Sequence, residues 1–110
     1  MFYPGLETHP GHQIARTQQD GFGAMLSFEM RGGVENIRRF VGALQLFTLA
    51  ESLGGIESLV AHPATMTHAG MGPEARAAAG ISDTLLRLSV GLEAEGDLMA
   101  DLERGLVAAR

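Results

Sequence analysis

Two stretches of this 110-residue sequence carry residue types suited to chemistry. In residues 45–59, QLFTLAESLGGIESL, an apolar run turns abruptly into Glu51-Ser52 and then a Gly54-Gly55 pair. A strand-like run (Phe47, Thr48, Leu49) that ends in a carboxylate, a hydroxyl and two glycines has the makeup of a pocket edge, because glycine lets the backbone approach a ligand or take up positive φ. Local signals alone favour a plain turn. Glu51 and Ser52 are adjacent, so in a strand their side chains point to opposite faces and need not cooperate. The second stretch, 84–92, places Leu86, Leu88, Val90 and Leu92 on one face and Leu85, Arg87, Ser89 and Gly91 on the other. An arginine in the middle of such a strand is costly to bury unpaired, so Arg87 must reach water, a protein carboxylate or an anionic ligand.

Other chemistry finds little support. His9 and His12 are three apart, but Pro10 lies between them and no cysteine or placed carboxylate completes a metal set, so they read as a surface pair. His62 and His68 flank an extended-looking segment and are of a type that could act as acid or base, yet the spacing assigns neither a partner. There is no G-x-S-x-G elbow, P-loop or dinucleotide fingerprint. All eight basic residues are arginine, so any step needing a lysine amine must take it from elsewhere. The net charge of -5 gives no electrostatic footprint for nucleic acid, and Arg38-Arg39 reads as a solvated helix face. With no cysteine, disulfide and thiolate chemistry are excluded and a reducing compartment is permitted. The longest apolar run, residues 40–50, is too short to span a bilayer, and the start MFYPGLE lacks the features of a signal peptide. These readings predict a cytoplasmic chain without nucleic-acid or membrane partners.

The elements that must hold the two stretches follow from periodicity. A weak helix is expected over 10–19, stopped by Asp20-Gly21, with a thin apolar face of Ile14 and Ala15. Alternation over 24–30 (Leu26, Phe28, Met30 inward) predicts a half-buried strand. Val34, Ile37, Phe40, Val41 and Leu44 recur at helical spacing and predict a helix. The 45–59 stretch then supplies a short strand, 64–69 reads as extended, and Pro73 and Gly80 frame a short helix over 74–79. The strand carrying Arg87 follows, and a helix over 95–108 closes the chain with the stripe Leu98, Leu102, Leu106. Strand, helix and strand in this order define an α+β domain with helix layered on sheet.

The runs FTLAESLGGIESLVAHPATMTHAGM and GISDTLLRLSVGLEAEGDLMADLERGL resemble the C-terminal domain of the Cys/Met-metabolism family of pyridoxal-phosphate (PLP) enzymes, of the cystathionine γ-lyase and γ-synthase type. The opening YPGLETHPGHQIARTQQDGFGAMLSFEM is similar to the stretch that enters that domain, so the likeness covers essentially the whole chain. The resemblance implies the small domain of a fold-type I PLP-dependent transferase, a mostly antiparallel sheet with helices on one face. Residues 1–20 would be a linker with a lead-in helical segment, and 21–110 the substrate-binding domain. It implies that Arg87 binds the substrate α-carboxylate, a contact suited to a guanidinium fork. The AESLGG turn, including Leu53, would line the same pocket. Ser52 would lie near the lysine–cofactor linkage, Glu51 would face the distal amino group of cystathionine, and Thr67 would sit at the pocket edge.

The implied activity is elimination or replacement on sulfur amino acids with PLP as cofactor, in a homotetramer. The implied partner is a large PLP-binding domain, in cis or in trans, that supplies the Schiff-base lysine. Met1 stands where the family's chain would continue upstream, so the sequence reads as part of a longer enzyme and is expected to be inactive alone. The alternative is a free-standing α+β module that binds amino acids or mediates oligomerisation.

Overall fold

A computed structural model of the chain describes residues 1–66 and 69–110. Its elements are α1 (His12–Gln18), β1 (Met25–Glu29), α2 (Val34–Ala43), β2 (Thr48–Leu49), β3 (Leu59–Ala61), α3 (Pro73–Ala78), β4 (Leu85–Ser89) and α4 (Glu95–Ala108). The strands form one sheet in the order β1-β4-β3-β2. β4 pairs antiparallel with both β1 and β3, whereas the two-residue edge strand β2 runs parallel to β3, so the sheet is mixed. The parallel pair is joined without a helix by the loop 50–58, the stretch that holds Glu51, Ser52 and the glycines.

Periodicity explains which side of the sheet is covered. Leu26 pairs with Leu88 and Phe28 with Leu86, and Val60 of β3 also sits opposite Leu88. These side chains meet Ile37 and Phe40 of α2 and Leu98 of α4 in the core. Phe40, Leu86 and Val60 are completely enclosed, each contributing on the order of 1.5–3 kcal/mol by burial. The Phe28 and Phe40 rings meet edge to face with centroids 6.0 Å apart. Helices α2 and α4 approach closely because residue 105 is glycine: a Cβ there would lie 2.8 Å from Phe40 Cδ2 and 3.0 Å from Leu44 Cδ2.

Several expectations change. The segment expected to be extended over 64–69 is a turn at 63–66, in which the amides of Thr65 and Met66 both bond to the His62 carbonyl (3.2 and 3.0 Å). Pro63 suits that single helical turn, and the strand falls earlier, on the apolar Leu59–Ala61. Residues 67 and 68 lie outside the described residues, and with them the Thr67 expectation. Leu92 is 82% exposed, because β4 ends at Ser89 and the chain turns away. Leu106 is half exposed, and the most deeply buried side chain of α4 is Asp101. His12 is buried, stacked on Phe22 at 5.2 Å with Nδ1 2.8 Å from the Pro4 carbonyl oxygen, so His9 and His12 are not a surface pair. The face of α1 is as thin as expected, with Ala15 buried and Ile14 exposed.

Residues 1–20 fold back onto the start of the sheet. Phe2 exchanges two backbone hydrogen bonds with Ser27 of β1 (2.7 and 3.1 Å), and the Tyr3 hydroxyl donates to the Gly23 carbonyl at 2.8 Å.

Candidate functional site

The face of β4 opposite the core holds the loop 50–58 through alternate residues. Arg87 Nη2 donates to the carbonyl oxygens of Glu51 (3.0 Å) and Ser52 (3.3 Å). Two residues on, Ser89 Oγ accepts the Gly54 amide at 2.8 Å. Two further on, the Gly91 amide donates to Ser58 Oγ at 2.8 Å. Glu93 then accepts the Ser58 amide on Oε2 (2.9 Å) and the Ser58 hydroxyl on Oε1 (2.8 Å). The Leu92 amide adds a bond to the Ile56 carbonyl at 2.8 Å. Within β4, period-two alternation turns Leu86 and Leu88 to the core and Arg87 and Ser89 to the loop, and beyond the strand's end Gly91, Leu92 and Glu93 continue the grip.

Two glycines are required by this geometry. Gly54 has φ +77°, which bends the loop back toward β4. A Cβ at Gly91 would clash with the Ile56 carbonyl oxygen and lie 2.6 Å from the Glu57 carbonyl carbon, so only glycine lets the two backbones come this close. The Glu93 carboxyl is held below its ordinary range, chiefly by the Ser58 amide, then by its own amide and by the Ser58 hydroxyl.

Arg87 does not form the protein salt bridge that its strand position also allowed; among the described residues no carboxylate pairs with it. It is half-buried. Of its five N–H donors, those on Nη1 and Nε make no hydrogen bond among the described residues, while Nη2 is held on backbone carbonyls. The guanidinium is thus oriented by neutral partners and keeps its positive charge uncompensated, which suits capture of an anion. Glu51, Ser52 and Leu53 are exposed on the loop above it, and Glu51 and Ser52 bond to Arg87 through their backbone carbonyls, not their side chains.

A second polar centre braces the chain just before β2. Asp101, fully enclosed, accepts the amides of Gln45 (2.7 Å), Leu46 (2.9 Å) and Phe47 (3.0 Å), and Arg104 Nη2 at 2.7 Å. Burial pushes its pKa up, but the hydrogen bonds from Phe47, Gln45, Arg104 and Leu46 outweigh burial and bring it from 3.8 to about 2. The entry of the chain into β2 is fixed by this one carboxylate.

Sequence reasoning did not single out Ser58, Ser89, Glu93 or Asp101. The signals were present: Ser89 shares the Arg87 face of the strand, and Asp101 falls at i+3 from Leu98 within the apolar stripe of α4. His62 is buried and bonded through both ring nitrogens, to Thr65 Oγ1 (2.8 Å) and the Asp83 carbonyl (2.6 Å), so it clamps two loops together. Among the described residues no cluster of three or more metal-ligating side chains forms, and no helix is long and apolar enough to cross a membrane.

The sheet, the loop and the arginine define a small α+β unit built to present a cation beside a polar turn. The chain belongs to the Cys/Met metabolism family of PLP-dependent enzymes, whose pattern matches residues 1–107. It is 65% identical over 109 residues to cystathionine gamma-synthase of Escherichia coli (strain K12), covering 99% of this chain and 28% of that protein. Its identity to cystathionine gamma-lyase of Mus musculus is 54% over 109 residues, covering 99% of this chain and 27% of that protein. The fold superimposes with a TM-score of 0.90, at 65% identity, on the crystal structure of cystathionine gamma synthase from Xanthomonas oryzae pv. oryzae in complex with cystathionine, over 97% of this chain and 28% of that chain. The chain therefore spans little more than a quarter of the length of these relatives.

The residues present do not fit covalent capture of the family's cofactor, because the sequence has no lysine side chain to form an imine with it.

Proposed function

We propose that this chain is the C-terminal, substrate-binding part of a PLP-dependent trans-sulfuration enzyme that acts on sulfur amino acids by elimination or replacement, of the cystathionine γ-lyase or γ-synthase type. The observation that carries this reading is the Arg87 guanidinium, anchored through Nη2 on the Glu51 and Ser52 carbonyls with Nη1 and Nε unpartnered among the described residues. In this reading Arg87 takes the substrate α-carboxylate, a charge-assisted contact worth on the order of 1.5–3 kcal/mol. Ser52 and Leu53 line the bound amino acid, and Glu51 attracts the distal amine of cystathionine.

The cofactor, when bound, supplies the electron sink for elimination or replacement. The lysine that carries it comes from a large PLP domain in cis or in trans, and the present chain alone is inactive. An exposed apolar rim supports such a partner: Leu53, Ile56 and Leu92 are 55%, 76% and 82% exposed around the loop, more than isolated surface leucines require. Residues 1–20 serve as the lead-in docked on β1, and 21–110 as the substrate-binding domain. The assembled enzyme is a cytoplasmic homo-oligomer, a tetramer.

The test is to mix this chain with a separately produced large domain bearing the lysine and to follow cofactor absorbance and elimination from cystathionine. Recovery of both is expected, and no recovery of either counts against the reading. The free-standing alternative predicts Arg87-dependent heat when the chain alone is titrated with cystathionine.

A further inference from the structure

We propose that Ser89 is a positioning residue for the carboxylate site, an inference that rests on the reading of Arg87 given above. Ser89 is 2% exposed and its Oγ accepts the Gly54 amide at 2.8 Å. Gly54 is the residue at which the loop reverses, with φ +77°. Arg87 and Ser89 are two apart on one face of β4, so the same rigid strand holds both ends of the 51–54 turn: the Glu51 and Ser52 carbonyls through Arg87, and the Gly54 amide through Ser89. With the hydroxyl in place the two carbonyls stay on Nη2, and the guanidinium presents its remaining N–H groups, on Nη1 and Nε, in one orientation. Without it the Gly54 amide loses its partner and the turn relaxes. The carbonyls then no longer fix Nη2, and the carboxylate meets an arginine that must be ordered during binding.

The rest of the loop does not depend on this bond. Its base is tied separately, by Glu93 on Ser58 and by the Leu92 amide on Ile56. Removing the Ser89 hydroxyl therefore frees the tip of the loop and leaves its attachment intact. Such a change acts on substrate binding in preference to stability.

The experiment uses the complete enzyme carrying this segment, with Ser89→Ala, Ser89→Thr, Arg87→Ala and the Arg87→Ala/Ser89→Ala double variant, assayed with L-cystathionine. Ser89→Ala is expected to raise KM about tenfold with kcat within about threefold, and Ser89→Thr, which keeps the hydroxyl, to recover most of the loss. In the Arg87→Ala background the Ser89 change should add less than about twofold, because the two residues act on one contact. If Arg87→Ala raises KM and Ser89→Ala does not, the positioning role is overturned while the reading of Arg87 stands. A Ser89 effect of full size in the Arg87→Ala background overturns it as well. An unchanged KM in Arg87→Ala removes the reading and this proposal together. Amide exchange of the 110-residue chain gives a second readout: Ser89→Ala should accelerate exchange at Gly54 and not at Ser58, and equal protection at Gly54 contradicts the proposal.

Discussion

Asp101→Asn is the substitution whose consequence follows most fully from the geometry. The carboxylate accepts four hydrogen bonds, two on each oxygen: Gln45 N and Arg104 Nη2 on Oδ1, Leu46 N and Phe47 N on Oδ2. Asparagine keeps one oxygen, which can retain the Leu46 and Phe47 amides. Its NH₂ then faces the Gln45 amide and Arg104, donor against donor. Arg104 has 42% of its side chain exposed and can turn to water, and the amide of Gln45, an exposed residue, can do the same. Losing a charge-assisted bond costs about 1.5–3 kcal/mol, and the water-accessible Gln45 amide adds little, so a net loss of about 2 kcal/mol is expected. For a urea slope of about 1–3 kcal/mol/M, the midpoint falls by roughly 0.7–2 M. Urea unfolding of the 110-residue chain and its variant, followed by circular dichroism, measures this directly. Arg104→Ala is the control and should cost no more than about 1 kcal/mol, as its partner keeps three backbone donors. A variant within about 0.5 kcal/mol of the parent would show that Asp101 does not brace the chain into β2.

Other outcomes follow from the same contacts. Because the folded-state pKa of Asp101, about 2, lies below its ordinary value of 3.8, its stabilisation is complete above that value and is lost as pH falls through about 2; acid titration of Asp101→Asn should show this component missing. Gly105→Ala gains about 1 kcal/mol of helix propensity but drives a Cβ to 2.8 Å from the enclosed Phe40 ring, an overpacking cost of about 1–3 kcal/mol. A lowered melting temperature is expected, and a raised one would mean that α2 and α4 move apart freely. Glu51→Ala in the assembled enzyme should weaken cystathionine more than a short amino acid without a distal amine; equal losses would remove the distal-amine role.

The fold was legible wherever the pattern was long enough to have a period. Leu26, Phe28 and Met30 marked β1, the Val34-to-Leu44 stripe marked α2, and the closing helix ends where its apolar repeat ends. β3 was hidden because Leu59, Val60 and Ala61 are buried on both faces, which leaves an apolar run of three with no alternation to read. Leu92 was read onto β4 because alternation continues past Ser89, although Gly91 and the bonds to Ile56 and Ser58 pull the chain out of the sheet. The Arg87 site was visible because one cation among leucines demands a partner. Its actual partners, backbone carbonyls, carry no residue signature and so could not be read from side-chain types. Asp101 was obscured for a related reason: a carboxylate among helix-surface charges looks solvated until the amides that it caps come together from a distant segment.

The central claim is that Arg87 receives the α-carboxylate of an amino-acid substrate. It is tested most directly by measuring, in the assembled enzyme, the affinity for an amino-acid substrate analogue and for the same molecule lacking its carboxylate, with and without Arg87→Ala. The account predicts that the parent binds the carboxylate form about tenfold or more tightly and that Arg87→Ala abolishes this preference. A preference that survives the substitution would contradict it.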